Sequence, residues 1–95
     1  MRREADRAQE KVAQVARKLV ALEVGGSPER PIEIESASVV ETDAKSQPCS
    51  ICGGSALVSD HRVVEHQGRR LRVASLRCKQ CGEAWNRYYW IAAPN

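Results

Sequence analysis

The sequence predicts a small β domain of three antiparallel strands, with an α-helix in front of it. Three observations predict this fold. Apolar residues near the start recur every three or four positions, two Cys-x-x-Cys pairs lie in the second half, and segments beside those pairs have the composition of β-strands. A chain of 95 residues has room for one small domain and an appendage. We divide it into a helix (1–26), a linker (27–48) and the β domain (49–95).

The helix is predicted for residues 2–24, which contain good helix formers and neither glycine nor proline. Gly25, Gly26 and Pro28 then end it. The apolar spacing is that of an a/d heptad seam, so we expect the helix to pair with a second copy or a partner helix. The alternatives are packing on the chain's own β domain and ordering only on binding. The seam comprises Ala5, Ala8, Val12, Val15, Leu19 and Leu22.

Residues 27–48 are acidic, with five acidic and two basic side chains. Pro28 and Pro31 predict an extended connection. Alternation in residues 32–35, followed by Val39 and Val40, suggests a strand, and residues 42–48 have the polar composition of a loop. Two interpretations remain open: a solvated linker, or an edge strand at residues 32–34 on the β domain's sheet or on a partner's sheet.

All four cysteines lie in the two pairs, and a glycine after each pair relieves a tight turn. Two such turns can direct four sulfurs to one point, which suits a structural zinc at about 2.3 Å per Zn–S bond. The alternative is a redox dithiol or disulfide, although a redox site needs only one pair. A domain this small also needs a cross-link, such as a bound metal ion, to be stable. We therefore expect folding and metal uptake to be coupled. The predicted ligands of one Zn²⁺ are Cys49, Cys52, Cys78 and Cys81.

The strands are predicted around these pairs. Residues 56–64 predict the first strand, with a polar interruption at 59–62, and Gln67-Gly68 predicts the turn into a second strand at 71–76. The aromatic segment 84–91 predicts the third strand. The order of Cys-x-x-Cys turn, hairpin, turn and strand is that of a three-stranded antiparallel zinc ribbon.

The protein contains no phenylalanine, and its four aromatic residues lie within residues 85–90. A single thin sheet leaves one face to be covered or to bind. Aromatic and arginine side chains there favour stacking of unpaired bases. The same residue types also favour contact with a protein, and one face is open to packing under the chain's own helix or residues 32–34. The predicted surface for nucleic acid or a partner comprises Arg69, Arg70, Arg72, Arg77, Trp85, Arg87 and Tyr89.

Charge and motifs exclude several classes of function. The net charge is +3, and residues 49–95 carry +4, which four zinc-bound thiolates lower by about 2. Nucleic-acid binding would therefore depend on the placement of individual arginines. A zinc with four sulfur ligands has no open position, and His61 and His66 are expected to be ordinary surface residues, so we expect no catalysis. Without a long apolar stretch or a signal core, a cytoplasmic location is expected.

One segment resembles a known family. Cys78-Lys-Gln-Cys81-Gly82-Glu-Ala-Trp85-Asn-Arg87-Tyr88 resembles the second Cys-x-x-Cys turn of zinc ribbons in transcript-cleavage factors and small RNA polymerase subunits, and the first pair and loop length are similar. The resemblance covers the C-terminal half and implies the ribbon fold. Residues 65–70 lack the adjacent Asp-Glu pair of the cleavage factors, which argues against transcript cleavage.

We therefore expect a non-catalytic zinc-ribbon binding module. In this interpretation it is an accessory factor that contacts nucleic acid or a nucleic-acid machine through its aromatic and arginine strand. The first alternative is a protein–protein adaptor or assembly subunit, as a homodimer or with a partner helix, that docks through the helix and residues 32–40. The second alternative is a thiol redox protein.

Overall fold

The fold is a four-stranded sheet that carries one long and one short helix. The computed structural model describes the backbone of residues 2–91 and the side chains of residues 10–91. In chain order the elements are α1 (Arg2–Leu22), β1 (Ile32–Ile34), a 3-10 turn (Ala37–Val39), α2 (Val40–Lys45), β2 (Ala56–His66), β3 (Arg69–Cys78) and β4 (Ala84–Ile91). Across the sheet the strand order is β1-β4-β3-β2.

The expected sheet of three antiparallel strands is only partly right. Strands β2, β3 and β4 are antiparallel neighbours, but β1 adds a fourth strand that runs parallel to β4. Ile32 lies opposite Tyr89, and Ile34 lies opposite Ile91. The segment before β1 already contacts β4, because the amide of Tyr88 donates to the carbonyl of Gly25 at 2.8 Å. The result is a mixed sheet with β1 at one edge.

The β2–β3 hairpin forms as its turn residues predict. Gln67 and Gly68 have φ angles of 52° and 77°, the left-handed pair that a two-residue type I′ turn requires. The polar stretch 59–62 does not interrupt the strand. The register instead shifts between Val58 and Asp60, so Ser59 is an extra residue and β2 continues beyond it.

Helix α2 covers one face of the sheet, which we call the α2 face. Val40 and Ala44 are four residues apart and fully buried, as expected for the inner side of a helix. The expectation of a strand at Val39 and Val40 is wrong, because Val39 ends the 3-10 turn and Val40 begins α2. Part of the predicted loop 42–48 is also helical. The Ser36 hydroxyl accepts the Ser38 amide at 3.2 Å and starts the 3-10 turn that leads into α2. The core cluster is Val40, Ala44, Ala56, Ala74, Leu76 and Tyr89.

Helix α1 ends beside the part of β4 that precedes its pairing with β1. Arg30 donates to the carbonyl of Leu22 at 2.8 Å and so caps the last turn. Gly25 follows with a φ of 88°, and a Cβ atom there would lie 2.5 Å from Ile32 Cδ1. Glycine is therefore required where the chain turns from α1 towards β1. No helix within residues 2–91 has the length and apolar character needed to cross a bilayer.

Candidate metal centre and sheet faces

The four predicted zinc ligands lie together. Their sulfur atoms are all within 4.8 Å of one another, a cluster that could hold a metal ion. The Sγ atoms of Cys49 and Cys81 are 3.7 Å apart, and those of Cys52 and Cys78 are 3.4 Å apart. A tetrahedral site with metal–sulfur bonds of about 2.3 Å has sulfurs about 3.8 Å apart. The cluster therefore has the dimensions of a four-sulfur metal site, and its cysteines are free thiols.

The two Cys-x-x-Cys turns, which we call knuckles, repeat one local structure. The amide of Gly53 donates to the carbonyl of Cys49 at 2.8 Å, and that of Gly82 donates to the carbonyl of Cys78 at 3.2 Å. Both glycines have left-handed φ angles, 77° and 79°. A residue with a side chain rarely adopts this conformation, which explains the glycine after each pair.

Backbone amides favour ionisation of one of the four thiols, that of Cys78. The amides of Cys81 and Gln80 donate to the Cys78 sulfur at 3.4 Å and 3.3 Å, and these bonds lower the pKa of Cys78 to about 6. The amide of Glu83 lowers the pKa of Cys81, but burial and the neighbouring thiols outweigh it and raise that pKa to about 12. The Cys78 thiol therefore ionises readily, whereas the Cys81 thiol keeps its proton. A divalent cation bound between the sulfurs would stabilise all four as thiolates.

No protein-family model, curated protein or solved structure matches this chain. The resemblance of residues 78–88 to zinc ribbons therefore stays a prediction that rests on those residues and on the sulfur geometry.

The two histidines are not part of the sulfur cluster within the described residues. His61 Nδ1 lies 3.0 Å from a carboxylate oxygen of Glu41, which joins β2 to α2. His66 Nε2 lies 3.1 Å from a carboxylate oxygen of Glu29, which joins the hairpin end to the connection after α1. Both rings are half-buried.

The predicted binding surface divides into two parts. Arg87 and Tyr89 are only 3% and 0% exposed, so the interpretation of these residues as a contact surface is wrong. They lie on the α2 face, and the Tyr89 hydroxyl donates to Asp43 of α2 at 2.7 Å. Trp85 is half-buried against the same core. Helix α2, which the sequence did not predict, covers Tyr89, and Gly25 lies next to the guanidinium of Arg87. Of the remaining predicted residues, Arg72 is half-buried and the exposed ones are Arg69, Arg70 and Arg77.

The opposite side of the sheet carries an accessible group of side chains, which we call the arginine face. It comprises Arg62, Arg69, Arg77, Tyr88 and Trp90. The guanidinium carbon of Arg69 lies 4.6 Å from the Trp90 ring centroid, a cation–π contact. Arg62 donates to Ser75 at 2.8 Å.

Three members of the arginine face are missing from the predicted surface. Strand alternation in the sequence does separate Tyr88 and Trp90 from Trp85 and Tyr89, which was the available signal. For Arg62 the signal was misleading, because the extra residue Ser59 resets the alternation along β2.

The predicted helix seam faces away from the sheet. Val12, Val15, Leu19 and Leu22 are between 56% and 69% exposed. The side of α1 towards the sheet instead contains the half-buried Ala13, Ala16 and Val20. The alternative in which the seam packs on the chain's own β domain is therefore wrong. Ala5 and Ala8 lie outside the residues whose side chains are described.

An ion pair anchors the helix. Arg17 donates to the two carboxylate oxygens of Glu83 at 2.8 Å and 3.0 Å. The bidentate contact lowers the pKa of Glu83, chiefly through this hydrogen bonding. Because Glu83 lies two residues after Cys81, this ion pair connects α1 to the end of the second knuckle.

Proposed function

We propose that the chain is a non-catalytic zinc-binding module, in which one structural Zn²⁺ fixes a sheet that contacts nucleic acid or a nucleic-acid machine. The observation that carries the proposal is the set of four sulfurs within 4.8 Å, supplied by two matching knuckles. Sulfur ligands in a tetrahedral arrangement favour zinc. Four protein ligands would fill the coordination sphere and leave no position for a catalytic water.

Elemental analysis of the purified full chain tests the metal. One zinc per chain is expected, lost together with the folded state on chelation. A chain that is folded without metal, with Cys49 and Cys52 as a reducible pair, would instead support the thiol redox alternative and reject the proposal.

The arginine face supports the nucleic-acid part of the proposal. Arg62, Arg69 and Arg77 are exposed on one side of the sheet. Trp90 is half-buried beneath Arg69, so a base could stack beside a guanidinium that also contacts phosphate. The face opposite α2 thus combines positive charge with aromatic rings, as single-strand binding surfaces do.

Fluorescence anisotropy with a labelled single-stranded oligonucleotide tests this surface. Trp90→Ala should weaken binding about tenfold, because one stacked base contributes about 1–3 kcal/mol. Arg69→Gln should weaken binding and lower the salt slope by about 1. Lys11→Gln on α1 is the charge-matched control and should bind like the parent. No binding at low salt, or equal losses in all three variants, would reject the surface.

A second candidate function is an adaptor that pairs through α1. The four seam residues are exposed, and in a parallel pair Lys18 would face Glu23, the residue that follows α1 in the other copy. Residues 32–40, the other part of that docking hypothesis, are already used by β1, the 3-10 turn and the start of α2. The helix is therefore the part of this alternative that remains.

Light scattering on the full chain tests the pairing. The parent should be a dimer, and Leu19→Asp should be a monomer because it puts a charge in the seam. Gln14→Asp adds the same charge at an exposed position off the seam and should stay dimeric. A parent chain that is monomeric and captures no partner would count against the adaptor.

A further inference from the structure

A cavity of about 230 Å³ lies where the end of α1, the first knuckle and β4 meet. Trp85 and Arg87 of β4 form one wall, and Gln47 and Ser50 beside the first knuckle form another. A larger groove of about 500 Å³ adjoins it, since Ser50 and Trp85 line both. The outer groove is lined largely by apolar and aromatic side chains, among them Val20, Ala21 and Tyr88.

Arg87 is the unusual member of this site, because it is a cation that is 3% exposed. Within residues 10–91 no carboxylate lies within the 4.0 Å ion-pair distance of its guanidinium. Its Nε atom is fully buried and has no hydrogen-bond acceptor among the described residues. A charge removed from water needs a partner, and the described residues supply no carboxylate at ion-pair distance and no acceptor for the Nε–H.

The nearest compensation is indirect. The guanidinium lies beside the Tyr89 hydroxyl, where it acts to lower the pKa of that phenol, and the hydroxyl donates to Asp43. This arrangement offsets part of the charge of Arg87. It leaves the buried N–H without an acceptor, on a side chain that lines the cavity.

We propose that this cavity binds the oxyanion of a small ligand, a carboxylate or a phosphate group, and that a planar apolar part of the ligand packs on Trp85 in the adjoining groove. The planar fork of an arginine matches both oxyanions with two parallel hydrogen bonds. The side chains of Gln47 and Ser50 offer further donors in the same wall. The outer groove has a volume typical of small-ligand sites.

Glu23 gives the proposal a sharp test, because it directly follows α1 and lines the same cavity. Its carboxylate is not in an ion pair with Arg87, and as a negative charge in the cavity lining it would oppose the binding of an anion. Removal of this charge should therefore strengthen anion binding. The effect is opposite in sign to what a general loss of structure would cause.

The experiment is an NMR titration of the zinc-loaded full chain, in which the Arg87 Nε–H and Trp85 indole resonances are followed. Benzoate and inorganic phosphate are the probes. Saturable shifts of both resonances with benzoate support a carboxylate ligand, and a shift of Arg87 with phosphate alone supports a phosphate ligand. Glu23→Gln should bind several-fold more tightly. Arg77→Gln, which removes an exposed arginine elsewhere on the sheet, should bind like the parent.

Two outcomes would overturn the proposal. One is the absence of saturable shifts at these resonances in both the parent and Glu23→Gln, since Arg87 would then be a structural residue with no anion site. The other is equal weakening by Arg77→Gln and Arg87→Gln, since binding would then follow net charge and not the cavity.

Discussion

At the residue scale, the contact between Tyr89 and Asp43 joins the sheet to α2. The phenol is fully buried on β4, and its hydroxyl donates to the Asp43 carboxylate at 2.7 Å. The two residues are 46 positions apart in the sequence, so no local pattern indicates their contact. Burial and then the hydrogen bond to Asp43 raise the pKa of Tyr89 from 10 to about 12. The folded state therefore holds the phenolic proton more tightly than the unfolded state does.

This raised pKa predicts a loss of stability in alkali. Below pH 10 both states keep the phenolic proton, and the contribution of Tyr89 to stability is fully present. As the pH rises from 10 towards 12, the unfolded chain ionises first, so the free energy of unfolding should fall through that window. Tyr89→Phe should remove this dependence and cost about 1 kcal/mol at neutral pH through the lost hydrogen bond.

Chemical denaturation at a series of pH values measures this effect. Tyr88→Phe is the matched control, because it removes a phenol from the next position of β4, on the opposite side of the sheet. It should keep the parent's decline between pH 10 and 12. An unchanged decline in Tyr89→Phe would contradict the assignment.

At the element scale, what the sequence predicted well was local. The heptad spacing and Gly25 placed α1 within two residues of its observed end, and Gln67-Gly68 placed the hairpin turn. Helix α2 could not be predicted this way, because it has six residues and begins with β-branched Val40. So short a helix is stabilised by packing on the sheet and not by its own propensity. The parallel pairing of β1 with β4 depends likewise on contacts between distant residues.

The packing of α2 can be tested at two adjacent valines. Val40 is fully buried on the sheet, whereas Val39 is 43% exposed. Val40→Ala should lower the free energy of unfolding by about 2 kcal/mol, since it opens a cavity under α2. Val39→Ala makes the same chemical change and should alter stability by about 0.5 kcal/mol or less. Thermal or urea denaturation compares them, and equal effects would contradict the packing of α2.

At the scale of the whole molecule, the cysteine cluster was more predictable than the accessible face of the sheet. The closure of four sulfurs on one point follows from two local turns, each marked by its own cysteines and glycine. Accessibility of a sheet face depends instead on which other elements lie over it. Arg87 and Tyr89 belong to the strand that the sequence singled out, but Gly25 lies against Arg87 and α2 lies over Tyr89. The residues that decide which face is covered are spread over positions 25–44 and form no recognisable sequence motif.

Removal of the metal should open the sheet as a unit. The two knuckles fix the start of β2, the end of β3 and the approach to β4, and their sulfurs come together within 4.8 Å. Without a cation the four sulfurs have no common partner, and the core cluster of six buried residues, three of them alanines, is too small to hold the strands together alone. A strong chelator should therefore abolish the near-ultraviolet circular dichroism of the tryptophans together with the β-sheet signal, and added zinc should restore both.

Two variants separate metal loss from other damage. Cys52→Ser removes an exposed sulfur from the cluster and should release metal at lower chelator concentrations, whereas Ser50→Ala, in the same knuckle, should behave like the parent. The order of events matters as well. If metal and strands form one cooperative unit, metal release followed by a chromogenic chelator and loss of the tryptophan signal should have the same midpoint. A sheet that keeps its tryptophan signal after complete metal release would mean that α2 and the six-residue core hold the strands unaided, and the cysteine cluster would then need a role other than structural support.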